Sequence, residues 1–314
     1  MRTLITASAY NKLLHNTGDF TVVPDSAVKT GKGLMGGDLV LAFGDRTKEK
    51  SRLKDRHVTI LSSETGFLHG CCHIDFKGLY DKSSLFVEGI EGRISGLSTP
   101  AWESSVEQFK ERCRSGESKY AQSTREVNAE NFVMIMAQKP KDSQIRIVND
   151  ELFSNNFLEF VRQILAACKD GGKKAIIKSH PSGLNEEISR EAVYFGVPYE
   201  IFSMTSGLAR CERVVTYNST SIIDSMVSDK PVFMMGPGYW TYFSNCLACP
   251  PGGRHTAASA SNWAVASDVK FCRQSRDNLL GFLLNEYCIR RRDPAAIRRV
   301  LTSVPRPWER EAFF

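Results

Sequence analysis

Four small hydrogen-bonding residues stand together between a short apolar segment and a helical pattern, where they could bind an anion. The segment Arg213 to Tyr217 is predicted to be a buried strand, and apolar residues recur at helical spacing after it. The residues between them are Asn218, Ser219, Thr220 and Ser221. A helix leaves its first N–H groups unpaired, and its dipole is positive at that end. One such residue would suffice for N-capping, whereas four in a row favour a phosphate site.

A histidine follows a second apolar segment, Ala175 to Lys178. Pro181 ends this predicted strand, so His180 is expected to face the edge of the sheet. An imidazole in that position could donate a hydrogen bond to a phosphate or to charge that develops in a transition state.

A carboxylate follows a third apolar segment, Phe132 to Ala137. Asp142 is flanked there by Lys139, Lys141 and Arg146. This pattern is typical of a solvated turn with local salt bridges. The alternative is a carboxylate kept ionised by neighbouring cations, which could act as a nucleophile or a general base.

A glycine-aromatic loop, residues 236 to 240, follows the last predicted parallel strand. Gly236 and Gly238 would let the backbone approach a ligand closely. Tyr239 and Trp240 could line a pocket for a base or a sugar. A Gly-Pro turn with ordinary aromatic packing explains the same residues equally well.

The composition excludes several classes of protein. The 314 residues are 42% hydrophobic and 24% charged, which is typical of a soluble globular protein. No apolar run approaches the roughly 20 residues needed to span a bilayer, and the N-terminus lacks the apolar core of a signal peptide. We therefore expect a cytoplasmic protein.

The cysteines indicate reduced thiols and leave one metal question open. There are nine, an odd number, scattered mostly through apolar segments. Cys246 and Cys249 could form half of a zinc site, with Cys71, Cys72 and His73 as the other candidates. No second pair has matching spacing, so no metal is expected.

A basic segment lies at the C-terminus of a chain whose net charge is +6. Its arginines are Arg290, Arg291, Arg292, Arg298, Arg299, Arg306 and Arg310. They could form a solvated helix face, or attract anionic lipid headgroups or an acidic glycan. No nucleic-acid partner is expected, because no DNA-binding motif and no aromatic-basic interleaving is present.

Strand-like and helix-like segments alternate, which predicts an α/β fold with parallel sheets. In the first half the predicted strands are Thr3 to Ala7, Asp38 to Phe43, His57 to Leu61 and Ser84 to Val87, followed by a helix from Ala101 to Arg114. A polar stretch, Ser115 to Asn131, is the candidate linker. We predict an N-terminal domain over residues 1–127 and a C-terminal domain over 128–314.

The polar clusters of the second half share one position, after the predicted strands. Ligands bind at the carboxyl ends of parallel strands, so the clusters predict a single site.

The order of motifs resembles the bacterial capsule-polysaccharide glycosyltransferases, specifically the retaining β-Kdo transferases (Kdo is an acidic eight-carbon sugar). The matching segments are Glu64 to Leu68, Gly78 to Tyr80, Ser83 to Val87, Gly89 with Ile90, Ser118 to Tyr120, Gln138 with Asp142, Lys178 to Pro181, Val215 to Ser221 and Lys230 to Gly236. The resemblance implies a GT-B fold, in which two Rossmann-like domains face each other across a cleft. The last helical segment would then be able to cross back to the first domain.

The resemblance also implies an enzyme that transfers Kdo from CMP-Kdo to a bacterial capsule or lipopolysaccharide glycan. Asp142 would be the nucleophile of a double displacement with net retention, and Gln138 would support it. His180, Lys178 and the loop from Asn218 to Ser221 would hold the CMP phosphate.

Glu64 and His69 would face the glycan or glycolipid acceptor. CMP-Kdo would be the donor substrate, and neither a cofactor nor a metal is implied. The basic C-terminus could lie near the inner face of the cytoplasmic membrane, as in a peripheral membrane protein.

Two alternatives stay open. The same fold could use another nucleotide sugar, CMP-sialic acid or a UDP-sugar. The chain could instead be a non-catalytic partner in a polysaccharide assembly complex.

Overall fold

The computed structural model describes residues 2–15, 19–117, 123–146, 148, 150–250 and 256–303. The chain forms two compact units. The first unit contains the residues up to Val87 and those from Leu283, and the second unit runs from Glu88 to Phe282. This division differs from the boundary predicted near residue 127, because the segment after Val87 packs with the second unit.

The elements alternate as the sequence pattern predicts. The strands are β1 (Thr3–Thr6), β2 (Thr21–Val23), β3 (Leu39–Phe43), β4 (Thr59–Thr65), β5 (Cys71–Asp75), β6 (Phe132–Met136), β7 (Ala175–Lys178), β8 (Tyr199–Glu200), β9 (Cys211–Thr216), β10 (Val232–Met234) and β11 (Cys288–Arg290). The helices are α1 (Ala7–Ala9), α2 (Asp25–Thr30), α3 (Thr47–Leu53), α4 (Ile90–Leu97), α5 (Pro100–Arg114), α6 (Ser143–Arg146), α7 (Phe157–Asp170), α8 (Glu186–Phe195), α9 (Met204–Arg210), α10 (Ile222–Val227), α11 (Ala257–Ala266), α12 (Arg273–Phe282) and α13 (Pro294–Thr302).

The first unit is built on a sheet with the strand order β11-β5-β4-β3-β1-β2. The strands β4, β3, β1 and β2 are parallel, and β5 and β11 extend the sheet in antiparallel orientation. Leu4 and Ile5 are both buried although they point to opposite faces. Both faces of this sheet are therefore covered, as in other α/β folds.

The predicted strand from Ser84 to Val87 is wrong. These residues form turns, although Leu85 is fully buried. The backbone N–H and the hydroxyl of Ser84 both donate to the carboxylate of Asp75, at 2.8 and 2.7 Å. The segment is therefore held by a buried side chain rather than by a neighbouring strand.

A strand that the sequence interpretation missed lies in the segment of Cys71, Cys72 and His73, which had been considered only as a metal candidate. In β5, Cys72 and His73 are fully buried and point to opposite faces. His73 stacks on Phe67 and Tyr287, with ring centroids 4.6 and 5.6 Å apart.

The second unit is built on a parallel sheet with the order β10-β9-β6-β7-β8. Val133, Ile135 and Ile177 lie in the main hydrophobic core, together with the apolar stripes of α7 and α8. The glycine Gly207 of α9 lies against Met134 on the opposite face. This order is that of a Rossmann fold, in which the chain starts in the middle of the sheet and proceeds in both directions.

Two asparagines set where the helices on this sheet begin. Asn156 caps α7 through Leu158 N–H and Glu159 N–H, and Asn185 caps α8 in the same way. The apolar stripe of the sequence predicts a helix from Leu152 to Cys168, but with the Asn156 cap the helix begins at Phe157. The strand predicted from Ala175 to Lys178 and the helix predicted from Glu186 to Phe195 are confirmed.

Helices α4 and α5 belong with the second unit through specific contacts to α12. Lys110 of α5 is buried and forms an ion pair with Asp277 at 2.7 Å. Trp102 packs against Phe282, and Gly281 leaves room for the indole, since a Cβ there would lie 2.9 Å from it.

The predicted linker is only partly described. Residues 118–122, which include the Ser118 to Tyr120 motif, lie outside the described residues. The following segment runs along the second unit, where Ser206 Oγ accepts from Val127 N–H at 3.1 Å. In the described part of the chain, no helix is long and apolar enough to cross a membrane.

Candidate functional site

The carboxyl edge of the second sheet contains the point where the strand order reverses. The chain proceeds from β6 to β7 and β8 on one side, and then returns to β9 and β10 on the other. The loops that follow β6 and β9 therefore diverge from adjacent strands. A crevice forms at such a position in open α/β sheets, and it is where their ligands bind.

Gln138 and Asn218 join the two loops at this point. Gln138 Nε2 donates to Asn218 Oδ1 at 3.0 Å, and Asn218 N–H donates to Gln138 Oε1 at 3.1 Å. Asn218 Nδ2 also donates to the carbonyl oxygens of Gln144 and Pro237, at 2.8 and 2.9 Å. Both amide side chains are buried. They therefore fix three loops, those after β6, β9 and β10, in one arrangement.

The hydroxyl cluster after β9 is partly organised by its own hydrogen bonds. Ser219 Oγ lies 2.8 Å from Ser221 Oγ and accepts from Ser221 N–H at 3.2 Å. Thr220 and Ser221 are buried, whereas Ser219 is half-buried. Ser221 precedes α10 without capping it through its side chain. Ser219 is thus the hydroxyl of this cluster that is best placed to meet a ligand.

Asp142 lies in the turn that follows β6. Its backbone N–H donates to the carbonyl of Lys139 at 2.8 Å, and its Oδ1 accepts from Gln144 N–H at 2.9 Å. The carboxylate is half-buried. Because the Gln144 carbonyl accepts from Asn218, this hydrogen bond connects the turn of Asp142 to the loop after β9.

His180 lies in the turn that follows β7. Its Nδ1 accepts from Ser182 N–H at 3.0 Å and lies 2.8 Å from Ser182 Oγ. A neutral imidazole whose Nδ1 accepts a hydrogen bond carries its proton on Nε2. The ring is therefore arranged so that Nε2 can act as a donor.

A cavity of about 570 Å³ lies beside His180. Gln138 and His180 line it, but Asp142 and the residues from Asn218 to Ser221 are outside its lining. Its charged lining residues are Lys139, Lys141, Glu186, Glu187 and Arg190. Among the described residues, no ion pair involves the three cations of this lining.

Lys178 does not line this cavity, although it ends β7. It alternates with Ile177 of the main core, so its side chain lies on the opposite face of the sheet. The ammonium group lies 5.5 Å from the ring centroid of Phe202. Burial lowers the pKa of Lys178 to about 8, and the nearby Asp224 carboxylate opposes this shift.

The glycine-aromatic loop is explained in large part by packing. A Cβ at Gly236 would lie 2.7 Å from the ring of Tyr217, and one at Gly238 would lie 3.3 Å from Asn218 Cβ. Tyr239 is buried against Trp240, with ring centroids 6.0 Å apart. Both glycines therefore permit close contact with the two residues that follow β9.

The residues predicted on the acceptor side, Glu64 and His69, lie in the first unit. Glu64 Oε1 accepts from Thr65 N–H at 2.8 Å, and its Oε2 accepts from Tyr80 at 3.4 Å. His69 is exposed in the turn between β4 and β5. Within this unit, the Glu64 carboxylate is thus held by local hydrogen bonds.

Three residues near the cavity were not singled out from the sequence. Arg190 lies one helical turn after Glu186 on α8, so both side chains share a face. Asn185 N–H donates to Tyr199 OH at 3.0 Å, and burial raises the pKa of this tyrosine. An Asn followed by two glutamates is a recognisable helix start, and this signal could have drawn attention to Asn185 and Arg190 at this edge.

Several C-terminal arginines have contacts within the first unit. Arg291 Nη2 lies 2.7 Å from His15 Nε2, and Arg298 lies over the ring of Phe20 at 4.3 Å. Arg306 and Arg310 are outside the described residues.

The thiols considered for zinc have other surroundings. Cys246 Sγ donates to Glu91 Oε1 at 3.2 Å, and burial raises the pKa of this thiol. In the part of the chain that the structure describes, no group of three or more His, Cys, Asp or Glu residues is placed to hold a metal ion.

Comparison with solved structures identifies the fold. The chain is similar to KpsC of Thermosulfurimonas dismutans, a β-Kdo 2,7 transferase, with a TM-score of 0.57 and 12% identity over 92% of each chain. It is also similar to the β-Kdo 2,4 transferase of KpsC from the same organism, with a TM-score of 0.55 and 14% identity over 91% of this chain and 98% of that one. No protein-family model and no curated protein matches the sequence.

These similarities confirm the predicted fold class, an α/β fold of the GT-B type. Both solved structures belong to the group of transferases that the motif order resembles, so that resemblance is confirmed for the fold.

Proposed function

We propose that this protein is a glycosyltransferase that transfers Kdo from CMP-Kdo to a bacterial surface glycan. The observation that carries the proposal is the hydrogen-bonded junction of Gln138 and Asn218 at the carboxyl edge of the second sheet. It joins the loops that hold Asp142 and Ser219, beside the cavity that His180 lines. The fold shared with β-Kdo transferases adds support.

Asp142 would be the nucleophile. Its carboxylate oxygen attacks the anomeric carbon, and the bond from that carbon to the phosphate oxygen breaks with its electron pair on CMP. The acceptor hydroxyl then attacks the same carbon, and the electron pair of the enzyme ester bond returns to Asp142 while the hydroxyl proton is released. Two displacements give net retention. A ketose donor ionises readily toward an oxocarbenium-like species, which a nearby carboxylate can capture.

His180 and the hydroxyl cluster would stabilise the departing CMP. A proton on Nε2 lets the imidazole donate to a phosphate oxygen, and Ser219 offers a hydroxyl from the neighbouring loop. Such donors act best when they are already oriented before the reaction. Asn218 would position these donors rather than contact the phosphate, because its side chain already forms hydrogen bonds with three protein groups.

The remaining assignments concern residues that do not line the cavity beside His180. Lys178 would act on the phosphate only through its charge, because its side chain lies on another face of the sheet. Glu64 and His69 would contribute to acceptor binding from the first unit. Contact of the protein with the inner face of the membrane through its basic C-terminal segment is part of the same proposal.

A transfer assay tests the proposal. The protein is incubated with CMP-Kdo and a capsule or lipopolysaccharide oligosaccharide, and CMP release and product mass are followed. Asp142→Asn should lower turnover by at least about a thousandfold while CMP affinity stays within about twofold, as expected for a group that acts only in the chemical step.

Full activity of the Asp142→Asn variant would exclude the covalent mechanism. Activity with UDP-sugars or CMP-sialic acid but not with CMP-Kdo would change the donor. Absence of any nucleotide binding, with tight association to another protein, would favour a non-catalytic partner.

A further inference from the structure

Two lysines that form no ion pair with any described residue flank the proposed nucleophile. Lys139 and Lys141 are exposed, line the 570 Å³ cavity beside His180, and form no ion pair with any described residue. The hydrogen bond from Asp142 N–H to the Lys139 carbonyl closes the turn that presents both lysines. Cations on a turn usually face solvent, but these two line a cavity together with the His180 imidazole, the Arg190 guanidinium and the carboxylates of Glu186 and Glu187.

The phosphate of a CMP-sugar does not account for these charges. It is a diester with a single negative charge, and Ser219, the neighbouring backbone and His180 already offer it donors. Lys139 and Lys141 come instead from the turn of the nucleophile. They are therefore available to a second anionic group of the donor, on the same turn as Asp142.

A sugar acid supplies such a group. In a 2-keto sugar acid, the carboxylate is bonded directly to the anomeric carbon. Attack by Asp142 thus brings its carboxylate next to the carboxylate of the sugar. Two negative charges in contact repel each other, and a nearby cation reduces this repulsion. An aldose donor has no such carboxylate and needs no such cation.

We propose that Lys139 and Lys141 bind the carboxylate of the donor sugar and so select donors whose anomeric carbon bears a carboxylate. This inference rests on the proposed function, and it assigns recognition of the donor sugar to two residues of the turn after β6. Charge-assisted hydrogen bonds from ammonium to carboxylate give both affinity and orientation. The lysines also reduce the repulsion between the sugar carboxylate and the nucleophile.

Binding to non-reacting enzyme tests this assignment. In the Asp142→Asn background, calorimetric affinities for CMP and for CMP-Kdo are measured with and without Lys139→Met and Lys141→Met together. CMP-Kdo should bind at least about tenfold more weakly to the double-lysine variant, as expected for loss of a charge-assisted hydrogen bond. CMP affinity should stay within about twofold.

Lys174→Met is the matched control, since Lys174 is an exposed lysine just before β7, at the opposite edge of the same sheet. It should change neither affinity. Unchanged binding of CMP-Kdo to the double-lysine variant would overturn the assignment, and so would an equal loss for CMP, which would make the lysines phosphate ligands. If the Asp142→Asn parent binds no CMP, the proposed function itself fails.

Discussion

The two units contain sheets of related construction, but the points where their strand orders reverse differ in chemistry. In the second unit, the reversal between β6 and β9 is bridged by two buried amides, Gln138 and Asn218. In the first unit, the reversal lies between β1 and β3. There Ser8 donates to the Asp25 carboxylate, and Arg46 Nη2 lies 4.0 Å from the same group.

This difference shows that loops at the same position of two related sheets can be fixed by different polar groups. Neutral amides fix the loops of the second unit and leave Lys139, Lys141 and His180 facing a cavity. In the first unit, a carboxylate takes the central place and is paired locally with a hydroxyl and an arginine. The proposed function assigns its anionic donor to the arrangement of the second unit.

Removal of the amide bridge should have the largest effect on stability. Asn218→Leu leaves Gln138 Nε2 and the carbonyls of Gln144 and Pro237 without their partner, so the free energy of unfolding should fall by about 3 kcal/mol. Ser8→Ala in the first unit removes the hydroxyl donor from the partly exposed Asp25 carboxylate, keeps the backbone N–H donor, and should cost about 1 kcal/mol. Urea unfolding followed by circular dichroism measures both. Equal losses of unfolding free energy would contradict the expectation that the amide bridge stabilises its loops more than the Ser8–Asp25 hydrogen bond does.

The second comparison concerns one lysine in each unit, Lys178, which is buried, and Lys50, which is half-buried. Burial lowers the pKa of Lys178 and that of Lys50 to about 8. Between about pH 8 and 10.5, the unfolded chain binds more protons at these positions than the folded protein, so stability should rise with pH in this window. Below pH 8 both states are protonated, and the folded protein carries the full cost of the buried charge.

Replacement by methionine separates the two lysines. Lys178→Met should raise the unfolding free energy by about 2 kcal/mol at pH 7 and remove its share of the pH dependence. Lys50→Met should gain much less, because Lys50 Nζ donates to the Phe76 carbonyl at 2.6 Å and that acceptor would lose its partner. Unfolding free energies of both variants, measured from pH 6 to 10, test this difference. A Lys178→Met variant with an unchanged pH profile would contradict the assigned burial cost.

The smallest effect is expected within one loop of the second unit. Gly236→Ala places a Cβ 2.7 Å from the Tyr217 ring, so the unfolding free energy should fall by about 1–2 kcal/mol. Gly238→Ala meets Asn218 Cβ at 3.3 Å and should cost less than about 1 kcal/mol. Calorimetric melting of both variants provides the comparison. A larger loss of unfolding free energy for Gly238→Ala than for Gly236→Ala would contradict the conclusion that Gly236 is the more tightly packed position.

The periodicity of the second unit made its elements predictable, whereas the first unit was predicted less well. The residues of β7 are apolar up to Lys178, and α8 has both an Asn cap and an apolar stripe, so their bounds follow from local signals. In contrast, β5 begins with two cysteines and a histidine, which did not look like a strand. Ser84 to Val87 did look like one, but it is held by hydrogen bonds to Asp75, nine residues earlier.

The candidate site was predictable where it depends on loop position and not where it depends on side-chain direction. Placing polar clusters after parallel strands correctly brought Gln138 and Asn218 to one edge. The amide bridge joins residues 80 positions apart, and no local pattern reveals it. The sequence also could not show that Lys178 lies on a covered face, because that depends on the register of β7 and on Phe202.

A thermal-shift panel with CMP, UDP, GDP and ADP tests the central claim, that the carboxyl edge of the second sheet binds the donor's nucleotide. A ligand that binds only the folded protein raises the unfolding midpoint. CMP should raise it for the native protein and for Lys174→Met, and the shift should be lost in the combined variant His180→Ala with Ser219→Ala. A shift with another nucleotide instead of CMP, or a CMP shift that survives in the combined variant, would contradict the claim.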